Sequence, residues 1–402
     1  MGMKIALVCP YDIAQFGGVQ NQVLEFAKRA KYAGHDITII APSSKKENTN
    51  GIVRIGRPLP VPVGRGTVAK MTFSFWRLGK LKKLLADGCF DVVHVHEPSV
   101  PLIGPKAAQY TNLESTVLLT TSHTNITPNV VTWGYGSFGR LLGWDHLMDK
   151  VQVRTAVSPA AAIRANHYLP GSYVIIPNGI DTERFSPEVK PMEKYLDGRI
   201  NILFVGRLGD NERRKGLYYV VSAFNRLHWQ YKNTRLLIVG PGQPDKDTRE
   251  LISETDNNGI VLAGPASADE LPRYYSTAHI FAATPTDGES FSLVVAEAMA
   301  SAKPVVSSNI PGPRDVLLGY SRYGKDITES GFHVAGAGIL VPPRDIPMTA
   351  KALERLVNDE SERARMGAAG REIVVAKFNW DVVAPQILGY YEKLLEQRKK
   401  VL

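Results

Sequence analysis

The sequence predicts an α/β protein of two doubly wound parallel sheets. Near-continuous Val/Ile/Leu runs alternate with helical patterns from end to end, as parallel strands covered on both faces do. The alternation restarts after residues 173–177. A single eight-unit barrel uses about 250 residues, and this chain of 402 residues carries more units than that.

The first run, residues 4–10, leads into a helical pattern over 19–33 with Val19, Val23, Phe26, Ala27 and Ala30 on one face. Further strands are expected at 36–41, 91–94, 116–121, 154–158 and 173–177. The second series comprises 201–206, 235–240, 260–262, 279–284, 304–307 and 338–341, with helices between. The boundary is expected near Leu169-Pro170-Gly171. That gives an N-terminal domain over 1–170, a second over 171–376, and a closing segment over 377–402. The helical pattern at 380–398 would return to the first domain.

Composition narrows the class. The chain is 44% hydrophobic and 22% charged, ordinary for a soluble globular protein. Two cysteines, Cys9 and Cys89, make neither a disulfide framework nor a four-ligand zinc site, so a reduced cytoplasmic setting is expected. No apolar run reaches the roughly 18 residues of a spanning helix. The start is too short for a signal peptide and is broken by Pro10 and Asp12, and Ala6 rules out a myristoylation signal.

The net charge of +9 lies wholly in residues 1–170, where 19 Lys/Arg face 10 Asp/Glu. Residues 65–83 carry Arg65, Lys70, Arg77, Lys80, Lys82 and Lys83 with no acid. Such an asymmetry suggests an acidic surface as partner. Nucleic acid is disfavoured, since no reader motif accompanies the charge. Over 73–85, Trp76, Leu81, Leu84 and Leu85 are expected on one side of a basic amphipathic helix, with Arg77, Lys80, Lys82 and Lys83 over the rest. An interfacial membrane anchor fits that pattern, as does a core-facing helix with a solvated basic face.

Four segments carry chemistry. Gly17-Gly18 follows the first strand and opens the first helix, where backbone amides can receive an anion. The spacing is not that of a dinucleotide fingerprint. After the strand ending at Gly206, the loop delivers Arg207, Arg214 and Lys215, two guanidinium forks and a point charge suited to a diphosphate. Next comes Asp287-Gly-Glu289-Ser-Phe-Ser, with Glu297 eight residues beyond Glu289. At that spacing the two glutamates are expected on one helix face, and Glu297 among apolar neighbours needs a partner. Fourth, an exposed His123 is expected in a polar cluster after a strand. His94-Val-His96 resembles a metal pair but has no third ligand in view, so no metal is assigned.

Taken together, Gly17-Gly18, His123, Asn178-Gly179-Ile180-Asp181, Gly206-Arg207, Arg214-Lys215-Gly216 and Glu289-x7-Glu297 resemble the retaining nucleotide-sugar glycosyltransferases of family four. The resemblance runs over essentially the whole chain and implies the GT-B fold, two Rossmann-like domains facing a central cleft. Within that family, Val8-Cys9-Pro10-Tyr11, His94-Val-His96-Glu97-Pro98, Ser122-His123-Thr124 and Phe378-Asn379-Trp380-Asp381 are similar to the bacterial phosphatidylinositol mannosyltransferases. By resemblance, Arg207 and Lys215 hold the donor diphosphate and Gly18 lies at the phosphates. Glu289 with the amides of Ser290, Phe291 and Ser292 holds the sugar, Glu297 holds the ribose, and His123 sits near the reacting centre. Tyr11, Gln20, Thr67 and Lys70 match positions for an inositol phosphate head group. The chain departs from the family in the 62–67 loop and in a longer loop after Arg207.

The resemblance implies a nucleotide-sugar donor, GDP-mannose, an anionic phospholipid membrane with a lipid acceptor, and a peripheral location on the inner face of the cell membrane. It implies no resident cofactor and no metal bridge; magnesium dependence stays open. The developing charge on the departing phosphate would be met by Arg207, Lys215 and helix amides. Transfer of a UDP-sugar to another lipid or inositol-phosphate acceptor is the alternative within the class. A sugar-nucleotide 2-epimerase and a silent nucleotide-sugar-binding protein are the alternatives outside it.

Overall fold

The computed structural model describes residues 2–15, 17–45, 51–62, 68–124, 147, 149–167, 169–255, 259–320 and 332–401. They divide into two compact units, Met1–Gly179 with Trp380–Leu402, and Ile180–Asn379.

In the first unit the strands are β1 (Lys4–Val8), β2 (Asp36–Ala41), β3 (Ile52–Arg54), a hairpin of β4 (Leu59–Pro62) and β5 (Val68–Met71), then β6 (Val92–His96), β7 (Val117–Ser122), β8 (Val153–Ala156) and β9 (Tyr173–Ile175). Seven of them form one sheet in the order β3-β2-β1-β6-β7-β8-β9. Every pairing within it is parallel. All five residues of β6 and all six of β7 are buried, the pattern of strands covered on both faces. The strand order reverses at β1/β6, which puts the following loops at the switch point where such sheets take ligands.

The boundary expected at 170/171 is corrected to Gly179/Ile180. Tyr173–Ile175 is an edge strand of the first sheet, so its pairing with β8 keeps the chain in the first unit. The return likewise begins at Trp380 rather than 377. On the helix Trp380–Val401, Trp380, Val383, Ala384, Leu388, Tyr391 and Leu394 fall on one face and join the core with Val23, Phe26, Ala27 and Ala30 of the helix Gly18–Tyr32. Phe26 stands between Trp380 and Tyr391, with ring centroids 6.4 and 6.2 Å away.

The second unit repeats the plan. Its strands β10 (Ile200–Val205), β11 (Thr234–Val239), β12 (Ile260–Gly264), β13 (Ile280–Ala283), β14 (Val305–Ser308), β15 (His333–Ala335) and β16 (Gly338–Val341) lie in the order β12-β11-β10-β13-β14-β16-β15. Among the described residues, only the edge strand β15 of this sheet is antiparallel. The switch point falls at β10/β13, which aims the 206–216 and 284–292 loops at one end of this sheet.

Candidate active site

The second unit's cations and carboxylates meet where β10 and β13 end. After Gly206 a short 3-10 helix, Asp210–Lys215, presents the basic side chains, and the helix Leu217–Gln230 follows. Gly216 makes that junction possible. Its φ is +79°, and a Cβ there would sit 1.8 Å from the Thr284 carbonyl oxygen after β13. The close approach seats Lys215 beside the β13 loop.

Lys215 Nζ stands 2.5 Å from Glu289 Oε1, and Arg214 Nη1 reaches the same oxygen at 3.1 Å. Burial pushes the Glu289 carboxyl up, but the charges of Lys215 and Arg214 outweigh it and hold its pKa below the usual value. Arg207 Nη2 pairs with Glu212 Oε1 at 2.8 Å, and Glu212 Oε2 lies 3.7 Å from Arg214. The predicted Arg207, Lys215 and Glu289 thus belong to one linked set. Arg214, expected from the sequence among the loop cations, is a further member, and Glu212 is one that sequence reasoning missed.

Glu289 and Glu297 do not share a helix face. The helix Leu293–Ala300 begins after Ser292, whose φ of +76° interrupts the chain, so Glu289 and Ser290 lie in the loop ahead of it. Phe291 is buried and packs edge-on to Phe378 at 5.3 Å. Glu297 is inside the helix and buried, with Tyr275 donating its hydroxyl to Oε2 at 2.8 Å. Burial lifts the Glu297 pKa to about 7, against the lowering effects of Tyr275 and Arg184. Tyr275 is a partner that sequence reasoning missed; no motif marks it.

In the first unit, the loop after β1 gathers three of the four predicted acceptor residues. Tyr11 bridges to Met71, Asp12 N–H donates to the Lys70 carbonyl at 2.9 Å, and Gln20 Nε2 donates to the Asp12 carbonyl at 3.4 Å. Gly18 begins the adjacent helix and is exposed. Thr67 lies outside the described residues.

His123 follows β7, as expected, but it is buried rather than exposed, at 7%. Its Nε2 is 3.0 Å from His96 Nδ1, and its ring also bonds the Asn178 side chain. Burial lowers its pKa to about 4, against the effect of Asn178. Its backbone N–H donates to Glu97 Oε2 at 3.0 Å, while Glu97 Oε1 accepts from Ser99 and Thr124, both at 2.9 Å. Glu97 is buried with φ +49°. This buried carboxylate, on a residue with a left-handed backbone, ties down the start of the loop that carries His123, and non-glycine residues held at positive φ cluster at functional sites.

The basic segment also differs from expectation. Phe75–Arg77 is a 3-10 turn, and the helix proper is Leu78–Asp87. Leu81 and Leu85 are buried in the core, with Leu78 and Leu84 packed against it. Trp76 is 79% and Phe75 53% exposed, so Trp76 does not share the leucine side. The apolar stripe is core, and what faces solvent is the Phe75-Trp76 pair followed by exposed Arg77, Lys80, Lys82 and Lys83. Among the described residues, no helix is long and apolar enough to cross a membrane.

Comparison with known proteins gives the same assignment. The family model described as glycosyl transferases group 1 matches residues 199–359, and that described as glycosyltransferase family 4 matches residues 16–184. A phosphatidyl-myo-inositol mannosyltransferase of Mycolicibacterium smegmatis is 32% identical over 391 residues, 97% of this chain and 94% of that protein. A GDP-mannose-dependent alpha-mannosyltransferase of the same organism is 26% identical, covering 98% of this chain and 99% of that one. In fold, the chain is similar to a glycosyltransferase from Rickettsia africae, with a TM-score of 0.71 at 18% identity over 98% of this chain and 99% of that chain. With near-complete coverage at 32% identity and two sheets of the GT-B pattern, the chain belongs to glycosyltransferase family 4, alongside the phosphatidyl-myo-inositol mannosyltransferases.

Proposed function

We propose that this hexosyltransferase moves mannose from GDP-mannose, with retention of configuration, onto phosphatidylinositol at the inner face of the cell membrane. The names of the relatives support the sugar and the acceptor. The observation that carries the reading is the convergence of Arg214 and Lys215 on one oxygen of Glu289. A donor diphosphate would take over those cations and leave the carboxylate to accept from sugar hydroxyls, so charge and hydroxyl recognition are adjacent.

Departure of the diphosphate builds negative charge on its β-phosphate, which Lys215, Arg214 and Arg207 stabilise most as it develops. Ser290, Phe291 and Ser292 offer backbone amides to the sugar, and Glu297, buried beside Tyr275, accepts from the ribose. No metal ion bridges the phosphates in this scheme, because the cations occupy that place. In the first unit, Tyr11, Gln20, Thr67 and Lys70 receive the inositol phosphate, Gly18 lies at the donor phosphates, and His123 sits at the reacting centre. Membrane attachment uses Phe75 and Trp76 as an aromatic wedge, backed by Arg77, Lys80, Lys82 and Lys83, each contributing about 1 kcal/mol near an anionic leaflet.

The test is nucleoside-diphosphate release from a panel of sugar nucleotides, with and without phosphatidylinositol vesicles. GDP released only when both GDP-mannose and the lipid are present supports the proposal. UDP release from UDP-sugars would favour the other donor class, and an isobaric sugar nucleotide as product would make the chain an epimerase.

A further inference from the structure

Three buried histidines stand in a row in the first unit. His94 and His96, two apart on β6, have ring centroids 4.2 Å apart, and His96 stacks on His123 at 5.3 Å. Their exposures are 1, 4 and 7%. Burial, reinforced by the neighbouring rings at His94 and His96, pulls His94 down to about 3 and His96 well below its usual value, and burial pulls His123 to about 4. All three rings are therefore neutral near pH 7, each with one donor and one acceptor nitrogen.

Neutral rings turn the hydrogen-bond pattern into a proton count. Thr155 donates its only hydroxyl proton to the Thr120 carbonyl at 3.0 Å. In the 2.6 Å contact between Thr121 and Thr155, Thr121 must then be the donor. Having given its proton away, Thr121 accepts in its 2.6 Å contact with His94 Nε2, so His94 carries its proton on Nε2. His94 Nδ1 is left to accept from the Tyr391 hydroxyl at 2.6 Å.

The same count runs along the other arm. Of the two ring nitrogens of His96, Nδ1 has a partner, His123 Nε2 at 3.0 Å, whereas Nε2 is fully buried with none among the described residues. A buried N–H without a partner is rarer than an unused acceptor, so the single proton of neutral His96 lies on Nδ1 and His123 Nε2 accepts it. His96 is thus the donor, through Nδ1. Its Nε2 is then a bare acceptor, fully buried and without a partner among the described residues. That atom's ring lines a cavity of about 30 Å³, shared with Thr121, His123 and Asn178, large enough for about one water.

We propose that His96 is a positioning residue for His123: its Nδ1–H fixes the plane and tautomer of the His123 ring, and its Nε2 accepts from a water held in the cavity. The Glu97 bond to the His123 backbone fixes the loop, and the His96 bond fixes the ring. The functional half of the inference rests on the proposed role of His123 in glycosyl transfer; the tautomer half does not.

Two measurements on the full-length protein test it. With ¹⁵N-histidine labelling, long-range ¹H–¹⁵N spectra between pH 6 and 8 should show His94 as the Nε2–H tautomer and His96 as the Nδ1–H tautomer. A His96 proton on Nε2, or a charged His96 at pH 7, overturns the proposal. The second compares His96→Asn, whose amide nitrogen takes the place of Nδ1, with His96→Gln, whose amide takes the place of Nε2. His96→Asn should keep kcat within about threefold, while His96→Gln should lose about ten- to a hundredfold in kcat with donor KM unchanged, the scale of a misplaced catalytic group. Equal loss in both variants, or no loss in either, overturns the positioning role. If the wild type turns over no sugar nucleotide, the proposed function fails, and the spectra still decide the tautomers.

Discussion

Replacing Lys215 by alanine removes the cation 2.5 Å from Glu289 Oε1 while Arg214 stays on the same oxygen at 3.1 Å. Glu289 keeps a charged partner, so the fold should survive. The loss is one charge-assisted hydrogen bond, about 1.5–3 kcal/mol, compared with about 3–5 kcal/mol for a buried charge left with none. Turnover should suffer more. A donor aimed at developing oxyanion charge is worth about 10²–10³ in kcat, or about 2.7–4 kcal/mol. Because the phosphate charge grows as the sugar departs, the loss should fall mainly on kcat, with a smaller rise in donor KM. Since both cations act on one oxygen, the Arg214→Ala/Lys215→Ala pair should deviate from additivity by about 0.5–3 kcal/mol. The assay is GDP release at saturating donor on phosphatidylinositol vesicles, with thermal unfolding followed by circular dichroism. A Lys215→Ala variant that is folded and turns over at the wild-type rate would falsify the role.

Glu289→Ala should lower kcat, whereas Glu297→Gln should chiefly raise donor KM; the reverse pattern would exchange their roles. The Glu297 carboxyl is raised in the folded state to about 7, from an ordinary 4.5. Its contribution to stability is therefore full below pH 4.5 and lost as pH rises to 7, so Glu297→Gln should gain stability relative to wild type over that window, and chemical denaturation at several pH values reads it. Reversing Arg77, Lys80, Lys82 and Lys83 to Glu should abolish cosedimentation with anionic vesicles at low salt and leave donor binding intact; retained sedimentation would put the docking surface elsewhere. Treatment with EDTA should leave turnover unchanged, and a loss restored by magnesium would refute transfer without a bridging metal.

The strands most legible in the sequence include those whose both faces are covered, such as residues 92–96 and 234–239, because complete burial demands an unbroken apolar run. Less legible were Ile52–Arg54, His333–Ala335 and the Leu59–Pro62/Val68–Met71 hairpin, short and in large part half-exposed. The spacing of Glu289 and Glu297 suggested one helix, but a left-handed Ser292 breaks it, and no periodicity reveals a single positive φ. Trp76 was grouped with the leucines; the 3-10 turn ahead of Leu78 sets it apart from the face they bury. His123 was legible as a strand-end residue. Its burial was not, because the ring is drawn in by His96 and Asn178, far away in sequence. Glu97 escaped for the same reason, since it acts by accepting from the backbone of a loop 26 residues away.

The most direct test of the account is the product of one reaction: purified protein, GDP-mannose and phosphatidylinositol vesicles, with the lipid fraction analysed by mass spectrometry. The account predicts phosphatidylinositol heavier by one hexose, formed in step with GDP release and about a hundredfold or more slower in Lys215→Ala at equal protein. GDP-mannose consumed without a hexosylated lipid, or the same lipid product formed at the wild-type rate by Lys215→Ala, would contradict it.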